Sequence, residues 1–199
     1  MISKDFENAI DFDANQLKLF LHEYIGMTQY PPMTKSLHYE AELIVAIGKE
    51  AFQLDKLESA SECIYGYSIG CDLTRRDLQN EAKKWKRPWS TSKSFDHSAP
   101  SGPIVMKQEV EDDLMLPYNA NISLSINGTL KQESTIDKMI WSIPEMICHL
   151  SKYFRLKPGD LIMTGTPAGV GELNIGDEVV VECGNLRPCR FIIGPKETE

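Results

Sequence analysis

The chain has 199 residues, of which 42% are hydrophobic and 25% are charged, and this composition is ordinary for one globular domain. No apolar run approaches the roughly 18 residues that cross a bilayer, and the acidic N-terminus lacks the pattern of a secretory signal or transit peptide, so we expect a cytoplasmic protein without a membrane partner. A formal net charge of -8 opposes binding to nucleic acid.

The N-terminal half predicts a mixture of helices and strands. Apolar residues at helical spacing predict an amphipathic helix over residues 14–25. Residues 38–47 alternate between two faces, which is typical of a strand. Three further elements are predicted: a short helix over residues 56–64, a second strand ending at Asp72, and a helix that buries Leu78, Ala82 and Trp85 before Pro88.

The C-terminal half is β-rich. Polar residues 90–102 predict a loop, and residues 121–133 predict a hairpin whose Asn127-Gly128 pair suits a type I′ turn. Ser142 and Glu145 form a capping box ahead of a helix that buries Ile147, Leu150 and Phe154. Turn-then-strand units follow to the C-terminus. Because strands do not alternate regularly with long helices, we predict an α+β fold and not a doubly wound sheet.

A pair of glutamates interrupts the first predicted strand. Glu40 and Glu42 are two residues apart, so their side chains share one face of a strand. For an isolated pair of this kind, a solvated sheet edge is the simplest explanation. Ile44 and Ala46 on the same face instead predict that this side is covered. Covered carboxylates need a cation.

Asp72 is the best third partner, because it ends the second predicted strand just before a helix, where functional groups commonly lie. Three carboxylates suit a hard ion such as Mg²⁺ or Mn²⁺, and Ca²⁺ less strictly, whereas zinc prefers His or Cys. His38 adjoins the pair but points to the opposite face, so we do not expect it to bind the metal.

Three more polar residues follow Asp72. Arg76 and Gln79 lie one turn apart on the next predicted helix, and Lys93 lies in the loop after it. An arginine beside a metal site suits a substrate carboxylate, and a lysine there could bind a carboxylate or carry a proton. Taken alone, Arg76 and Lys93 would more often be surface residues.

A glycine-containing segment covers residues 165–173. It lacks the motifs of a phosphate-binding loop. Two interpretations stay open for it: a plain turn, or a tight loop that brings backbone N–H groups and the Thr166 hydroxyl near a substrate.

Four segments together resemble the fumarylacetoacetate hydrolase family, and the resemblance is nearest to its acylpyruvase and oxaloacetate decarboxylase branch. They lie in the family's order and cover roughly residues 30–182. The segments are "YPPMTKSLHYEAELIVAIGK", "GYSIGCDLTRRDLQNEAKKWKRPWSTSKSFDHSAP", "SIPEMICHLSKYFRLKPGDLIMTGTPAGVG" and "GDEVVVE". The resemblance implies a roll of β-rich mixed sheet, of the type found in the family's C-terminal domain, and a homodimer.

The resemblance also implies roles for individual residues. It implies that Glu40, Glu42 and Asp72 bind the divalent metal, usually Mg²⁺. The remaining roles fall to Lys93, Gln79 and Arg76 as catalytic residues, and to Arg76, Lys93 and Thr166 as contacts to a small 2-oxo acid substrate.

One departure from the family concerns the N-terminus. Members of this branch normally carry a lid helix with a His and a Glu three residues apart that activate water. No such segment precedes Tyr30, and the adjacent His22 and Glu23 do not match that spacing. We therefore divide the chain into an atypical segment, residues 1–29, whose lid region is truncated or replaced, and a catalytic domain, residues 30–199.

The sequence thus predicts a Mg²⁺-dependent C–C bond hydrolase or lyase. It would cleave or decarboxylate small β-dicarbonyl 2-oxo acids, such as acylpyruvates or oxaloacetate, through a metal-stabilised enolate. Hydrolysis needs an activated water, whereas decarboxylation and keto–enol isomerisation do not, so we expect impaired hydrolysis. Two alternatives stay open: an isomerase or decarboxylase of 2-hydroxy-dienedioates from aromatic catabolism, and a metal-binding homologue that lost activity with its N-terminal His/Glu lid motif.

Overall fold

The computed structural model describes residues 26–112, 116 and 119–196. The helix predicted over residues 14–25 lies outside these residues, as do His22 and Glu23. Residues 26–29, which the sequence assigned to the N-terminal segment, belong to a strand of the largest sheet. No helix in the described ranges is both long and apolar enough to cross a bilayer.

Strands dominate the described part of the chain, and short helices connect them. The strands are β1 (Gly26–Tyr30), β2 (Leu37–Tyr39), β3 (Ala41–Ile47), β4 (Ile64–Cys71), β5 (Thr74–Arg75), β6 (Val105–Met106), β7 (Asn121–Ile126), β8 (Thr129–Thr135), β9 (Leu161–Met163), β10 (Gly171–Leu173), β11 (Glu178–Cys183) and β12 (Cys189–Lys196). The helices are α1 (Leu57–Glu62), α2 (Arg76–Lys84), α3 (Ser90–Lys93), α4 (Lys107–Asp112) and α5 (Ile143–Ser151), with a 3₁₀ turn at Ile136–Lys138.

These strands form three sheets within the described residues. The largest has the order β1-β12-β11-β7-β8, in which β1 runs parallel to β12 and the other pairs are antiparallel. The other two are antiparallel, with the orders β6-β4-β3-β9 and β10-β2-β5. Mixed pairing with short helices between strands makes the fold α+β, as predicted.

Two apolar clusters hold the sheets and helices together. The larger packs side chains from all three sheets, among them Leu37, Leu43 and Phe191. The second packs Val45 of β3 against Ile147 of α5. Burying an aliphatic or aromatic side chain of this size contributes about 1.5–3 kcal/mol. Strand β3 contributes to both clusters and all seven of its residues are buried, so its position is firmly fixed.

The strand predicted over residues 38–47 is wrong in one respect, because it divides at Glu40. Strand β2 belongs to the three-stranded sheet and β3 to the four-stranded sheet. At the break, the Glu40 N–H donates to Cys71 Sγ at 3.3 Å, and the Glu40 carbonyl accepts from the Asp72 N–H at 2.9 Å. The chain therefore passes from one sheet to the next at a glutamate.

Two inward-facing aromatic residues were predicted wrongly. Trp85 is 56% exposed and Phe154 is 63% exposed. Both lie beyond the last residue of their helices, so the spacing that defines the buried helical face no longer applies to them. The loop predicted over residues 90–102 also contains one helical turn, α3.

Two local predictions are confirmed. Asn127 and Gly128 have φ values of 50° and 74°, as a type I′ turn between β7 and β8 requires. The capping box at the start of α5 is formed, with the Ser142 N–H 2.7 Å from Glu145 Oε2.

Candidate metal and substrate site

Antiparallel pairing of β3 with β4 brings three carboxylates together. Ala41 lies opposite Cys71 in this register, so Glu40 and Asp72 are neighbours just beyond the ladder. Glu42 follows on β3. One carboxylate oxygen from each of the three residues lies within 4.8 Å of the others. Oxygen ligands at about 2.0–2.6 Å from a single ion are separated by distances of this order.

The three carboxylates are shielded from water. Glu40 and Glu42 are only 8% and 4% exposed, and Asp72 is half-buried. A solvated sheet edge is therefore the wrong explanation for the glutamate pair. Because burial of a carboxylate is costly unless cations or hydrogen bonds compensate it, the partners of each carboxylate matter.

Two cations contact two of the three carboxylates. Arg76, the first residue of α2, donates from Nη2 to Glu40 Oε1, and from Nη1 to Gln79 Oε1 at 2.5 Å. Lys93, the last residue of α3, places Nζ 2.7 Å from Glu40 Oε2 and 2.5 Å from Asp72 Oδ2. Among residues 26–112, 116 and 119–196, three carboxylates thus share two positive side chains, which leaves an excess of negative charge.

Glu42 is the carboxylate that no cation contacts among the described residues. Its Oε2 accepts a hydrogen bond of 2.7 Å from the Gly165 N–H. Burial raises the pKa of Glu42 to about 7, and the neighbouring charges of Asp72 and Glu40 act in the same direction. A divalent cation between the three carboxylates would compensate this charge, so the residues present fit a hard metal ion.

Hydrogen bonds set the charge of the other groups. Burial alone would raise the pKa of Glu40, but the bonds from Lys93 and Arg76 hold it below its usual value. Burial opposes the charge of Lys93, yet its bonds to Asp72 and Glu40 raise its pKa. Burial raises the pKa of Asp72 in spite of Lys93. Paired with these two carboxylates, Lys93 is a positive charge at neutral pH.

The loop after β9 lies against the strand of the glutamates. Thr164 Oγ1 donates to the Leu43 carbonyl at 2.8 Å. Gly165 follows with a φ of +98°, a left-handed conformation that glycine adopts without strain, and its N–H donates to Glu42. The loop that carries Thr166 is thus bonded directly to one of the three carboxylates.

Gln132 is a buried residue of this region that the sequence did not indicate. It lies on β8 and is 1% exposed. Its Oε1 accepts from the Ala41 N–H, and its Nε2 donates to Thr166 Oγ1 and to the Pro167 carbonyl, each at 2.9 Å. Nearly every residue of β8 is polar, so no pattern in the sequence marks this glutamine as the buried one.

A cavity of about 520 Å³ adjoins the loop. Its volume is in the range of sites that bind small molecules. Gly165, Thr166 and Pro167 form one side of it. The remaining lining comes from β3, β7, β8, the 3₁₀ turn, the segment between that turn and α5, α5 itself and the residue after β9: Leu43, Ile122, Ser134, Thr135, Ile136, Lys138, Met139, Ile140, Trp141, Met146 and Thr164.

The structure brings most of the predicted site residues into one cluster. Its members are Glu40, Glu42, Asp72, Arg76, Gln79 and Lys93. Thr166 lies next to this cluster, beside Gly165 in the chain and bonded to Gln132. His38 does not belong to the carboxylate group, and its Nε2 lies 3.1 Å from Ser36 Oγ.

Comparisons with known proteins agree with one another. The family described as "Fumarylacetoacetate (FAA) hydrolase C-terminal" matches residues 22–193, a range that contains all the predicted site residues. A fumarylpyruvate hydrolase from a Ralstonia species is 40% identical over 196 residues, which are 98% of each chain. An oxaloacetate tautomerase from Escherichia coli is 42% identical over 146 residues, 73% of this chain, and this chain spans only 65% of that relative.

A solved structure shares the fold. It is a fumarylpyruvate hydrolase from Pseudomonas aeruginosa in complex with Mn²⁺ and pyruvate. The two structures superpose with a TM-score of 0.81 at 40% sequence identity, over 86% of this chain and 72% of that chain.

Proposed function

The chain belongs to the fumarylacetoacetate hydrolase family, and we propose that it is a divalent-metal-dependent enzyme that cleaves or decarboxylates small 2-oxo acids, such as acylpyruvates or oxaloacetate. One observation carries the proposal. Within the part of the chain that the structure describes, the three clustered carboxylates share two cations, and the buried Glu42 is contacted by neither. The remaining negative charge suits a hard metal ion, and the adjacent arginine and lysine suit an anionic substrate.

We propose Glu40, Glu42 and Asp72 as the residues that hold the metal. Because all three supply carboxylate oxygens, Mg²⁺ is the ion we expect, with Mn²⁺ or Ca²⁺ as alternatives. The Pseudomonas relative was solved with Mn²⁺ and pyruvate. When bound, such an ion supplies Lewis-acid polarisation of a carbonyl group.

We propose that the cationic side chains bind the 2-oxo acid end of the substrate. Arg76 would form the paired contact to the substrate carboxylate, because its guanidinium presents parallel N–H donors. Gln79, which is 2% exposed, holds the orientation of Arg76 through the 2.5 Å bond to its Nη1. Thr166 would donate a further hydrogen bond to the same carboxylate.

Lys93 has an electrostatic role in this proposal. When the C–C bond of the substrate breaks, the bonding electron pair stays with the pyruvate fragment. Negative charge then develops on the carbonyl oxygen of that fragment as the enolate forms. A fixed ammonium group nearby stabilises this charge without further reorganisation. The ammonium of Lys93 lies 2.7 Å from Glu40 Oε2 and 2.5 Å from Asp72 Oδ2, so it is held beside the proposed metal ligands.

We propose that this chain favours reactions that need no activated water, because its His22 and Glu23 are adjacent and do not have the spacing of the family's lid motif. His38 Nε2 lies 3.1 Å from Ser36 Oγ, and His38 is not a member of the carboxylate cluster. We therefore propose that hydrolysis is slow relative to decarboxylation or keto–enol tautomerisation of oxaloacetate. The tautomerase of Escherichia coli, 42% identical to this chain, supports tautomerisation as a second candidate activity.

We also propose a homodimer, which the family resemblance implied. Trp141 packs edge-on against His149, with ring centroids 4.6 Å apart, and His149 in turn contacts Tyr153. Tyr153 is 70% exposed and the neighbouring Ile140 is 96% exposed. A second copy of the chain would cover this apolar surface. Sedimentation equilibrium tests the proposal: we expect dimers that Trp141→Asp dissociates, whereas a monomeric wild-type protein would contradict it.

A substrate panel tests the proposed activity. Acetylpyruvate, fumarylpyruvate, oxaloacetate and a 2-hydroxy-dienedioate are each supplied with Mg²⁺, with Mn²⁺ or with EDTA. We expect turnover of a 2-oxo acid that EDTA abolishes and excess metal restores. Turnover that EDTA leaves intact would contradict metal dependence. A protein that binds Mn²⁺ and oxalate but converts no substrate would be an inactive homologue instead.

A further inference from the structure

The contacts of Gln132 connect two parts of the proposed site. Ala41, whose N–H donates to Gln132 Oε1, is the residue between Glu40 and Glu42. Thr166 Oγ1 and the Pro167 carbonyl, which accept from Gln132 Nε2, belong to the loop that carries the proposed substrate contact. The buried side-chain amide of Gln132 therefore links the strand of the proposed metal ligands to the loop that carries the Thr166 hydroxyl.

The chemistry of these partners allows only one orientation of the amide. A backbone N–H is a donor, so the Gln132 oxygen must face Ala41. A backbone carbonyl is an acceptor, so the Gln132 NH₂ must face Pro167. Exchanging oxygen and nitrogen would set donor against donor and acceptor against acceptor. The Gln132 NH₂ is thus required to donate to Thr166 Oγ1 as well.

This orientation determines what the Thr166 hydroxyl can do. A hydroxyl has one hydrogen and two lone pairs. Because a lone pair of Thr166 Oγ1 accepts from Gln132, its hydrogen is left to donate to another acceptor. The preceding residue, Gly165, is bonded to Glu42, which keeps the hydroxyl close to the carboxylate cluster.

Close packing restricts the movement of Gln132. Gly169 of the same loop has a φ of +102°, and a Cβ added there would lie 2.7 Å from the Lys131 carbonyl and 3.3 Å from Gln132 Cγ. The loop therefore approaches β8 closely at Gly169 as well as at Thr166 and Pro167. A side chain that is 1% exposed and bonded at three points has a well-defined position.

We infer that Gln132 is a positioning residue that presents the Thr166 hydroxyl as a hydrogen-bond donor to the carboxylate of the 2-oxo acid. The inference rests on the proposed function, since it needs a substrate carboxylate beside Thr166. Gln132 contacts neither the proposed metal nor the reacting atoms. Its effect on the substrate is exerted through Thr166.

A double-mutant cycle on ligand binding tests the inference. Oxalate, which resembles the pyruvate enolate, is titrated calorimetrically into Mn²⁺-loaded wild type, Gln132→Met, Thr166→Val and the double variant. We expect each single variant to weaken oxalate binding about tenfold, the loss of one hydrogen bond to a charged group. Because Gln132 acts through Thr166, we expect Gln132→Met to have almost no further effect in the Thr166→Val background.

The control is the Mn²⁺ affinity measured without oxalate. If Gln132 merely supported the structure of the site, its substitution would change this affinity as well. We expect it to be nearly the same in all four proteins. Additive losses of oxalate affinity in the double variant, or a loss of Mn²⁺ affinity in Gln132→Met, would overturn the inference. Wild-type protein that binds neither Mn²⁺ nor oxalate would instead refute the proposed function.

A second variant covers the case in which Gln132→Met does not fold. Gln132→Glu retains an acceptor for the Ala41 N–H, and at alkaline pH its carboxylate must accept from the Thr166 hydroxyl and turn the hydrogen away from the substrate. The same cycle is then measured with Gln132→Glu. Oxalate binding equal to that of the wild type would overturn the inference.

Discussion

Glu42 accepts a 2.7 Å hydrogen bond from the Gly165 N–H, and this contact joins the proposed metal ligands to the loop that carries Thr166. Glu42 is 4% exposed and no cation contacts it among the described residues. Gly165 directly precedes the residue that we propose as a substrate contact. Glu42 and Thr166 are therefore connected through one hydrogen bond and the adjoining residue, Gly165.

Metal affinity should fall below neutral pH. Burial raises the pKa of Glu42 to about 7, so at lower pH the ion must displace a proton. We expect the apparent Kd for Mn²⁺ to rise about tenfold per pH unit below pH 7 and to level off above it. Calorimetry in buffers of different ionisation enthalpy should detect about one proton released near pH 6 and almost none near pH 8.5. A pH-independent Kd would contradict this prediction.

Two neighbouring substitutions should have opposite effects on metal-free stability. Because the pKa of Glu42 is raised on folding, its charge destabilises the folded state above that pKa. Glu42→Gln removes the charge and keeps an acceptor for Gly165, so we expect a gain of roughly 1–3 kcal/mol near pH 8. Glu40 has a lowered pKa and stabilises the folded state when charged, so Glu40→Gln should lower stability there.

The same two variants should agree in metal binding. Each removes one proposed ligand, and we expect Mn²⁺ affinity to fall by roughly 100-fold or more in both, since even outer-shell changes cost 10–100-fold. Thermal unfolding without metal and Mn²⁺ titration measure the two effects separately. Equal destabilisation of both metal-free variants, or unchanged Mn²⁺ affinity in either, would argue against the assigned roles.

Lys93→Met should separate chemistry from metal binding. The substitution removes an ammonium that lies 2.7 Å from Glu40 Oε2 and 2.5 Å from Asp72 Oδ2. We expect kcat to fall by about 10²–10³-fold, as for other preorganised donors. Mn²⁺ affinity should not fall, because a cation that competes for two proposed ligands is gone. Lys152→Met, at the exposed end of α5, is the control and should retain full activity in the same assay.

Two glycines offer a matched test of the loop geometry. Gly165 and Gly176 have φ values of +98° and +94°, and an added Cβ would meet nothing within 4 Å at either position. Each change to alanine should therefore cost a similar strain energy of about 1–3 kcal/mol. Only Gly165→Ala should also weaken Mn²⁺ binding and turnover, because relief of the strain at this φ would shift the backbone N–H that donates to Glu42. Equal activity in the two variants would show that the Gly165 contact is unimportant.

The carboxylate cluster could be predicted because its geometry is local and chemically distinctive. The period of a strand places Glu40 and Glu42 together, and a strand end followed by a helix marks Asp72. The sequence did not show that the chain changes sheets at Glu40, since that depends on pairing with Thr74 and Arg75 on one side and with β4 on the other. The alternation of side chains along residues 38–47 would be the same whether they formed one continuous strand or two strands in different sheets.

The contacts of Gln132 could not be predicted in this way. They join β8 to β3 and to the loop after β9, three segments that are far apart in the sequence. Trp85 was placed inward because helical spacing defines a face but not the residue at which the helix ends. Tertiary contacts determine both the partners of Gln132 and the residue at which the helix before Trp85 ends. The periodicity of the sequence contains no information on these contacts.

A crystal structure of the protein with Mn²⁺ and oxalate, recorded with anomalous scattering at the manganese edge, tests the central claim most directly. We predict one strong anomalous peak within coordination distance of Glu40, Glu42 and Asp72, with oxalate bound to the same ion and contacted by Arg76 and Thr166. A peak at any other position, or no ordered Mn²⁺ between the three carboxylates, would contradict the account.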